Sequence, residues 1–95
     1  MDKQEFLRQA AKKYSLLLAE QGKHDPDVLK ILENNAHLFN EIEIGLISPP
    51  CPGKYRADFN SEDPKYGGRT AIFSAQAEFI SAIEDWRSKS WYPRS

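Results

Sequence analysis

Cysteine is almost absent from this chain, and its scarcity excludes a disulfide scaffold. Cys51 is the single cysteine among 95 residues, so no disulfide can form within the chain, and such usage is typical of a reducing compartment. The chain also lacks an apolar run approaching the roughly 20 residues of a membrane helix, and its charged N-terminus does not resemble a signal peptide. We therefore expect a cytoplasmic protein with no membrane segment.

Net charge is nearly absent as well. Thirteen basic and 14 acidic residues leave a formal charge of −1, which supplies no overall field to hold the chain on nucleic acid or on an anionic membrane. Any site of that kind has to be local. With hydrophobic residues at 40% of the chain, the sequence predicts one small folded domain spanning residues 1–95.

The residue patterns of common catalytic and metal sites are missing too. Neither His24 nor His37 has the close ligand spacing of a zinc motif, either with the other or with Cys51. A cysteine nucleophile normally needs an orienting base, and nothing in the spacing places a histidine beside Cys51. We predict no catalytic residue, no metal and no cofactor, and we keep a thiol-dependent enzyme using Cys51 as the third alternative.

Two amphipathic helices are predicted at the start of the chain, over about 2–21 and 26–40. Apolar residues recur there at steps of three and four, which gathers them on one helical face. Asp25 is a favoured N-cap and Pro26 a favoured first helical residue, while Gly22 suits the left-handed end of the first helix. The short connection predicts an antiparallel helical hairpin. Residues 41–47, "EIEIGLI", fit either a helix or a strand.

A region rich in proline and glycine follows, and then a third helix. Two stretches of the middle region, about 54–59 and 69–73, have the alternating or β-branched pattern of strands and could form a short β-hairpin. Ser74 is a candidate N-cap for a helix over about 75–89, which carries Trp86 on its apolar face. The expected fold class is therefore mainly α, with a small β-hairpin as an addition.

The second helix and its extension are acidic. Residues 25–47 hold five acidic residues against Lys30 alone, a net charge of −4. Glu41 and Glu43 lie at the end of this stretch and are its candidate partner-binding residues. A solvated helix face is one explanation, and docking onto a basic partner is the other.

The middle loop and the C-terminal tail combine basic and aromatic residues. Arginine, lysine and tyrosine together suit the centre of a protein interface, and they also suit contacts with phosphates and stacked bases. The candidate residues for partner binding in this part of the chain are Lys54, Tyr55, Arg56, Tyr66, Arg69, Trp91 and Tyr92.

These features favour a small protein-protein interaction module, such as an adaptor, inhibitor or regulatory subunit. It would act through the acidic second helix and the basic-aromatic loop and tail, with another protein as the first choice of partner and a homodimer as an option. A nucleic-acid-binding regulator using loop 54–69 and the C-terminal tail is the alternative.

Overall fold

The computed structural model describes residues 3–44 and 57–90 of the chain, with side chains for 5–44 and 57–84. Its regular structure consists of three helices: α1 (Lys3–Gly22), α2 (Pro26–Glu43) and α3 (Ala71–Ser90). The mainly helical fold, the N-terminal helical hairpin and the C-terminal helix predicted from the sequence are thereby confirmed.

The turn between α1 and α2 is set by the start of α2. Asp25 has extended backbone angles, φ −141° and ψ 106°, and its side chain accepts a hydrogen bond from the Asp27 N–H, while Pro26 begins the helix. This is the predicted N-cap. Gly22, in contrast, belongs to α1 and is not left-handed. A Cβ at Gly22 would lie 3.1 Å from the Leu29 Cα, so the absence of a side chain lets α2 approach closely.

The stretch that fitted both a helix and a strand is helical as far as it is described. α2 continues through Glu43, and the Ile44 N–H donates to the Asn40 carbonyl at 3.1 Å. Ile42 is buried against the core, so the apolar side of α2 extends one turn beyond the predicted end at residue 40. Residues 45–47 lie outside the described part of the chain.

α3 begins earlier than predicted, and it takes in part of the predicted β-hairpin. Thr70 is its cap, because the Thr70 Oγ1 accepts from the Phe73 N–H at 3.2 Å and its carbonyl accepts from the Ser74 N–H at 3.1 Å. The helical turn buries Ile72 in the core, which explains why the β-branched stretch is not a strand. Neither 57–59 nor any other described stretch forms a strand, and residues 54–56 lie outside the described ranges.

The core lies around α1, which packs against both other helices. Arg8 near the start of α1 lies 3.5 Å from Glu43 at the end of α2, so α2 runs antiparallel to α1. Lys13 lies 3.4 Å from Glu78, while Leu17, further along α1, borders the same depression as Ala71 at the start of α3, so α3 also runs antiparallel to α1. The buried apolar residues are Leu7, Ala10, Ala11, Tyr14, Leu18, Val28, Ile42, Phe59, Ile72, Ala75, Phe79, Ala82 and Ile83.

Aromatic rings connect the three helices at the centre of this core. Tyr14 of α1 lies against Phe39 and Phe79, with ring centroids 6.0 and 5.7 Å away, and the last two are 5.4 Å apart. These separations suit favourable edge and tilted ring contacts. In the described residues no Cα atom of α2 lies within 8 Å of one in α3. Loop 57–70 lies between these two helices and contributes the buried Phe59.

Candidate functional site

Loop 57–70 is attached to α3 by one buried side chain. Gln76 is 2% exposed. Its Oε1 accepts from the N–H groups of Asp58 and Phe59 at 2.6 and 2.7 Å, and its Nε2 donates to the Phe59 carbonyl at 2.9 Å. The side-chain amide thus both accepts from and donates to the loop backbone, as the backbone of a neighbouring β-strand does. It provides hydrogen-bond partners for backbone N–H and carbonyl groups that are costly to bury without one.

The carboxylate of Asp58 links the same part of the loop to the other two helices. The Tyr14 hydroxyl donates to the Asp58 Oδ2 at 2.7 Å, and the Asn35 Nδ2 lies 3.4 Å from the same oxygen. Asp58 is therefore bonded through its side chain to α1 and α2 while its N–H is bonded to α3. This cluster joins all three helices through one loop residue.

A second cluster attaches the loop to the start of α2. The Tyr66 hydroxyl donates to the Asp25 Oδ2 at 2.7 Å, and the Lys65 Nζ lies 3.2 Å from the same oxygen. The ring of Tyr66 packs on Phe59, with centroids 5.4 Å apart. The hydrogen bond from Tyr66 and the nearby Lys65 ammonium lower the pKa of Asp25, and the same contacts raise the pKa of both loop residues.

A compact turn presents these two residues to Asp25. The Asp63 Oδ1 accepts from the N–H groups of Lys65 and Tyr66 at 2.8 and 2.9 Å, which lowers the pKa of Asp63. Gly67 is needed because a Cβ there would lie 2.5 Å from the Asn60 carbonyl oxygen. The stretch "NSEDPKYGG" is therefore a turn that is held by hydrogen bonds between its own residues.

Acid should weaken this attachment through Asp25. Its pKa in the folded chain is below the usual 3.8, so its stabilising effect is present above about pH 4 and is lost as pH falls through the folded pKa. The wild type should lose free energy of unfolding between about pH 7 and about pH 3 as Asp25 is protonated. We expect this loss to be smaller in Asp25→Asn, because asparagine keeps the capping acceptor but carries no charge to titrate. Urea unfolding at both pH values measures this loss.

The matched control for that experiment is Asp27→Asn. Asp27 is an exposed acid two residues along, and its carboxylate accepts no hydrogen bond from the described residues, so the acid sensitivity of the wild type should remain. An Asp25→Asn variant that loses as much stability in acid as the wild type would contradict the prediction.

The structure places the predicted loop and tail residues in three different situations. Tyr66 is half-buried, with its hydroxyl bonded to Asp25, whereas Arg69 is exposed. The remaining five lie outside the described part of the chain: Lys54, Tyr55, Arg56, Trp91 and Tyr92. Among the described residues the loop therefore contributes one inward and one outward member of the predicted set.

Two residues of the predicted acidic surface have neighbouring polar partners. The Glu41 carboxylate lies 2.9 Å from the His37 Nε2, and the Glu43 carboxylate lies 3.5 Å from Arg8. Asp25 is occupied by the helix cap and the loop. Asp27 and Glu33 are exposed, and neither makes an ion pair with another described residue.

Sequence reasoning missed several exposed apolar residues beside these charges. Leu29 is 41% exposed on α2, Ile44 is 54% exposed at its end, and Leu16 is 60% exposed on α1. The available signal was position, because Leu16 and Leu29 fall outside the three- and four-residue apolar pattern of their helices. An apolar side chain outside that pattern points toward solvent or a partner.

No other arrangement in the described residues has the composition of a metal or membrane site. No group of three or more His, Cys, Asp or Glu side chains converges among the described residues. Over the same residues, no helix combines the length and the apolar content needed to cross a bilayer. His24 and His37 are both exposed, and Cys51 lies outside the described ranges.

The two clusters that attach loop 57–70 and the exposed side of α2 are the features from which a function can be argued. Comparison with protein-family models, with curated proteins and with solved structures found no match to the chain.

Proposed function

We propose that this chain is a small protein-protein interaction module, such as an adaptor, inhibitor or regulatory subunit, and that it binds its partner through the outer face of α2. That face is defined by Leu29, Glu33 and His37, which are all exposed and follow one another at steps of four residues. The observation that carries the proposal is that α2 packs on the core from one side only, through residues such as Val28 and Ile42. The opposite side is available along the length of the helix.

The chemistry of the outer face of α2 favours a partner with basic residues around an apolar side chain. Glu33 provides negative charge, and Leu29 provides an apolar contact one turn before Glu33. Exposed charges of this kind contribute mainly to association rate and choice of partner, while buried apolar contact contributes most of the affinity. Lys30 lies within the same surface and reduces its net charge.

Nucleic acid is the second choice of partner. Among the described basic residues of the loop, Lys65 has its ammonium 3.2 Å from Asp25, so phosphate binding would compete with an existing ion pair. Arg69 is exposed, but a single cation is a small electrostatic footprint. The predicted contributions of Lys54 and Arg56 lie outside the described residues.

Two synthetic helical peptides test the choice of partner. Both carry the same leucine stripe, flanked by lysines in one peptide and by glutamates in the other, and binding is measured by fluorescence anisotropy. We expect the basic peptide to bind more tightly. Glu33→Lys should weaken its binding by roughly tenfold, about 1.4 kcal/mol, because it replaces attraction with repulsion.

The control variant is Glu62→Lys, which makes the same change of charge at an exposed position in the loop turn. It should bind the basic peptide nearly as well as the wild type does. Equal binding of the acidic and basic peptides, or equal losses in the two variants, would contradict the assignment of the outer face of α2.

A further inference from the structure

Leu16 lies in the middle of a second exposed surface, on α1. It is the most exposed of the large apolar side chains described. It borders an open depression of about 530 Å³ whose other lining residues are Gln9, Lys12, Lys13, Leu17 and Ala71. A single exposed leucine is common on protein surfaces, and what distinguishes Leu16 is the arrangement of charges around it.

Opposite charges lie one helical turn to either side of Leu16. Lys12 and Glu20 are both exposed. Residues four apart on an α-helix lie one above the other with an offset of only about 40°, so the side chains of Lys12, Leu16 and Glu20 form one strip along the helix. We name this strip, Lys12, Leu16 and Glu20, the charged strip of α1. Its order is positive, apolar and negative.

This order is self-complementary. If a second α1 lies antiparallel across the first with Leu16 against Leu16, each Lys12 faces the Glu20 of the other copy, since both are four residues, about 6 Å, from the centre. The arrangement has a twofold axis through the leucine pair. Twofold dimers of this isologous kind are the commonest oligomers, because one favourable contact is made twice.

We propose that two copies of this chain associate through the charged strip of α1, with each Leu16 entering the depression of the other copy. The surface used is separate from the outer face of α2, so the dimer leaves that face free. The buried side of α1, which includes Leu7, Tyr14 and Leu18, is already committed to the core. The dimer therefore uses the side of α1 that the fold leaves open.

Existing contacts on the charged strip are weak enough to be exchanged. The Glu20 carboxylate lies 3.6 Å from Lys23, with both side chains about two-thirds exposed, and such surface pairs contribute little. Lys12 has no ion-pair partner among the described residues. One helix face is smaller than the roughly 800 Å² per partner of a standard interface, so the dimer is weak and forms at high protein concentration.

Sedimentation velocity of the full chain, from on the order of 10 μM to 1 mM, tests the proposal. The wild type should shift from monomer to dimer over this range. Lys12→Glu and Glu20→Lys each place like charges opposite one another twice, so each should raise the dissociation constant by roughly tenfold or more. Leu16→Asp should abolish the dimer. Circular dichroism is used to check that each variant is folded. We expect all of them to be, because substitution at exposed positions costs little stability.

Charge exchange separates this arrangement from any other mode of association. The double variant Lys12→Glu with Glu20→Lys restores opposite charges across the twofold axis and should dimerise again. A mixture of the two single variants should form a heterodimer, although neither associates alone. Lys30→Glu on α2 is the control and should dimerise like the wild type.

Three results would overturn the proposal. The first is a wild-type chain that stays monomeric at every concentration, which would leave the charged strip to another occupant or to none. The second is a dimer that survives Leu16→Asp. The third is a double variant that stays monomeric while both single variants are folded. None of these results bears on peptide binding by α2.

Discussion

Replacing Phe79 with alanine should destabilise the chain by about 4 kcal/mol. The Phe79 side chain is fully buried, and its ring contacts both Tyr14 and Phe39. Truncation removes the apolar burial and leaves a cavity where the three helices meet. Because folded domains are stable by only about 5–15 kcal/mol, this one substitution removes a large fraction of the total and is expected to leave part of the chain unfolded at 37 °C.

Urea denaturation followed by circular dichroism measures this loss. Phe6→Ala is the matched control, since Phe6 is an exposed phenylalanine on α1 and its truncation should cost less than about 1 kcal/mol. If both variants lost similar stability, Phe79 would not have the central position in the core that its ring contacts indicate.

Replacing Gln76 with leucine should cost about 3 kcal/mol, although the new side chain is apolar and of similar size. The cost arises because the N–H groups of Asp58 and Phe59 and the carbonyl of Phe59 lose their partner. Phe59 is buried, so water cannot replace these bonds without opening the loop. We therefore expect two effects: residues 58–59 detach from α3, and the free energy of unfolding of the whole chain falls.

Two measurements distinguish this effect from a simple packing change. Urea denaturation gives the free energy of unfolding, with Gln9→Leu as the control at an exposed position of α1. Amide hydrogen exchange gives the local effect, and the Phe59 amide should exchange much faster in Gln76→Leu than in the wild type. An unchanged exchange rate at Phe59 would mean that Gln76 does not hold the loop.

The helices were predictable because their signals are local. Asp25 and Pro26 identify the start of α2 within two adjacent residues, and the apolar spacing of α1 needs no knowledge of its neighbours. The start of α3 was misplaced because Thr70 and Ser74 are both able to cap a helix. The choice between them depended on burying Ile72, which is a tertiary effect that overrides the β propensity of the stretch.

The attachment of the loop could not have been predicted from spacing. Gln76 is separated by 17 residues from the backbone that it binds, and the intervening turn had no predicted path. Tyr66 and Asp25 were assigned to two different predicted surfaces, yet they bond to each other. Composition indicates that tyrosine, lysine and aspartate suit an interface, but it does not indicate whether that interface is with a partner or within the chain.

The position of loop 57–70 between α2 and α3 has a consequence for how this chain can vary in evolution. Surface loops usually tolerate insertions and deletions better than helices do. Here Phe59 fills the core and Asp58 joins three helices, so a change of length near residues 58–59 would shift buried groups. Homologous chains should therefore vary in length at the exposed turn of residues 23–24 more readily than at residues 58–67.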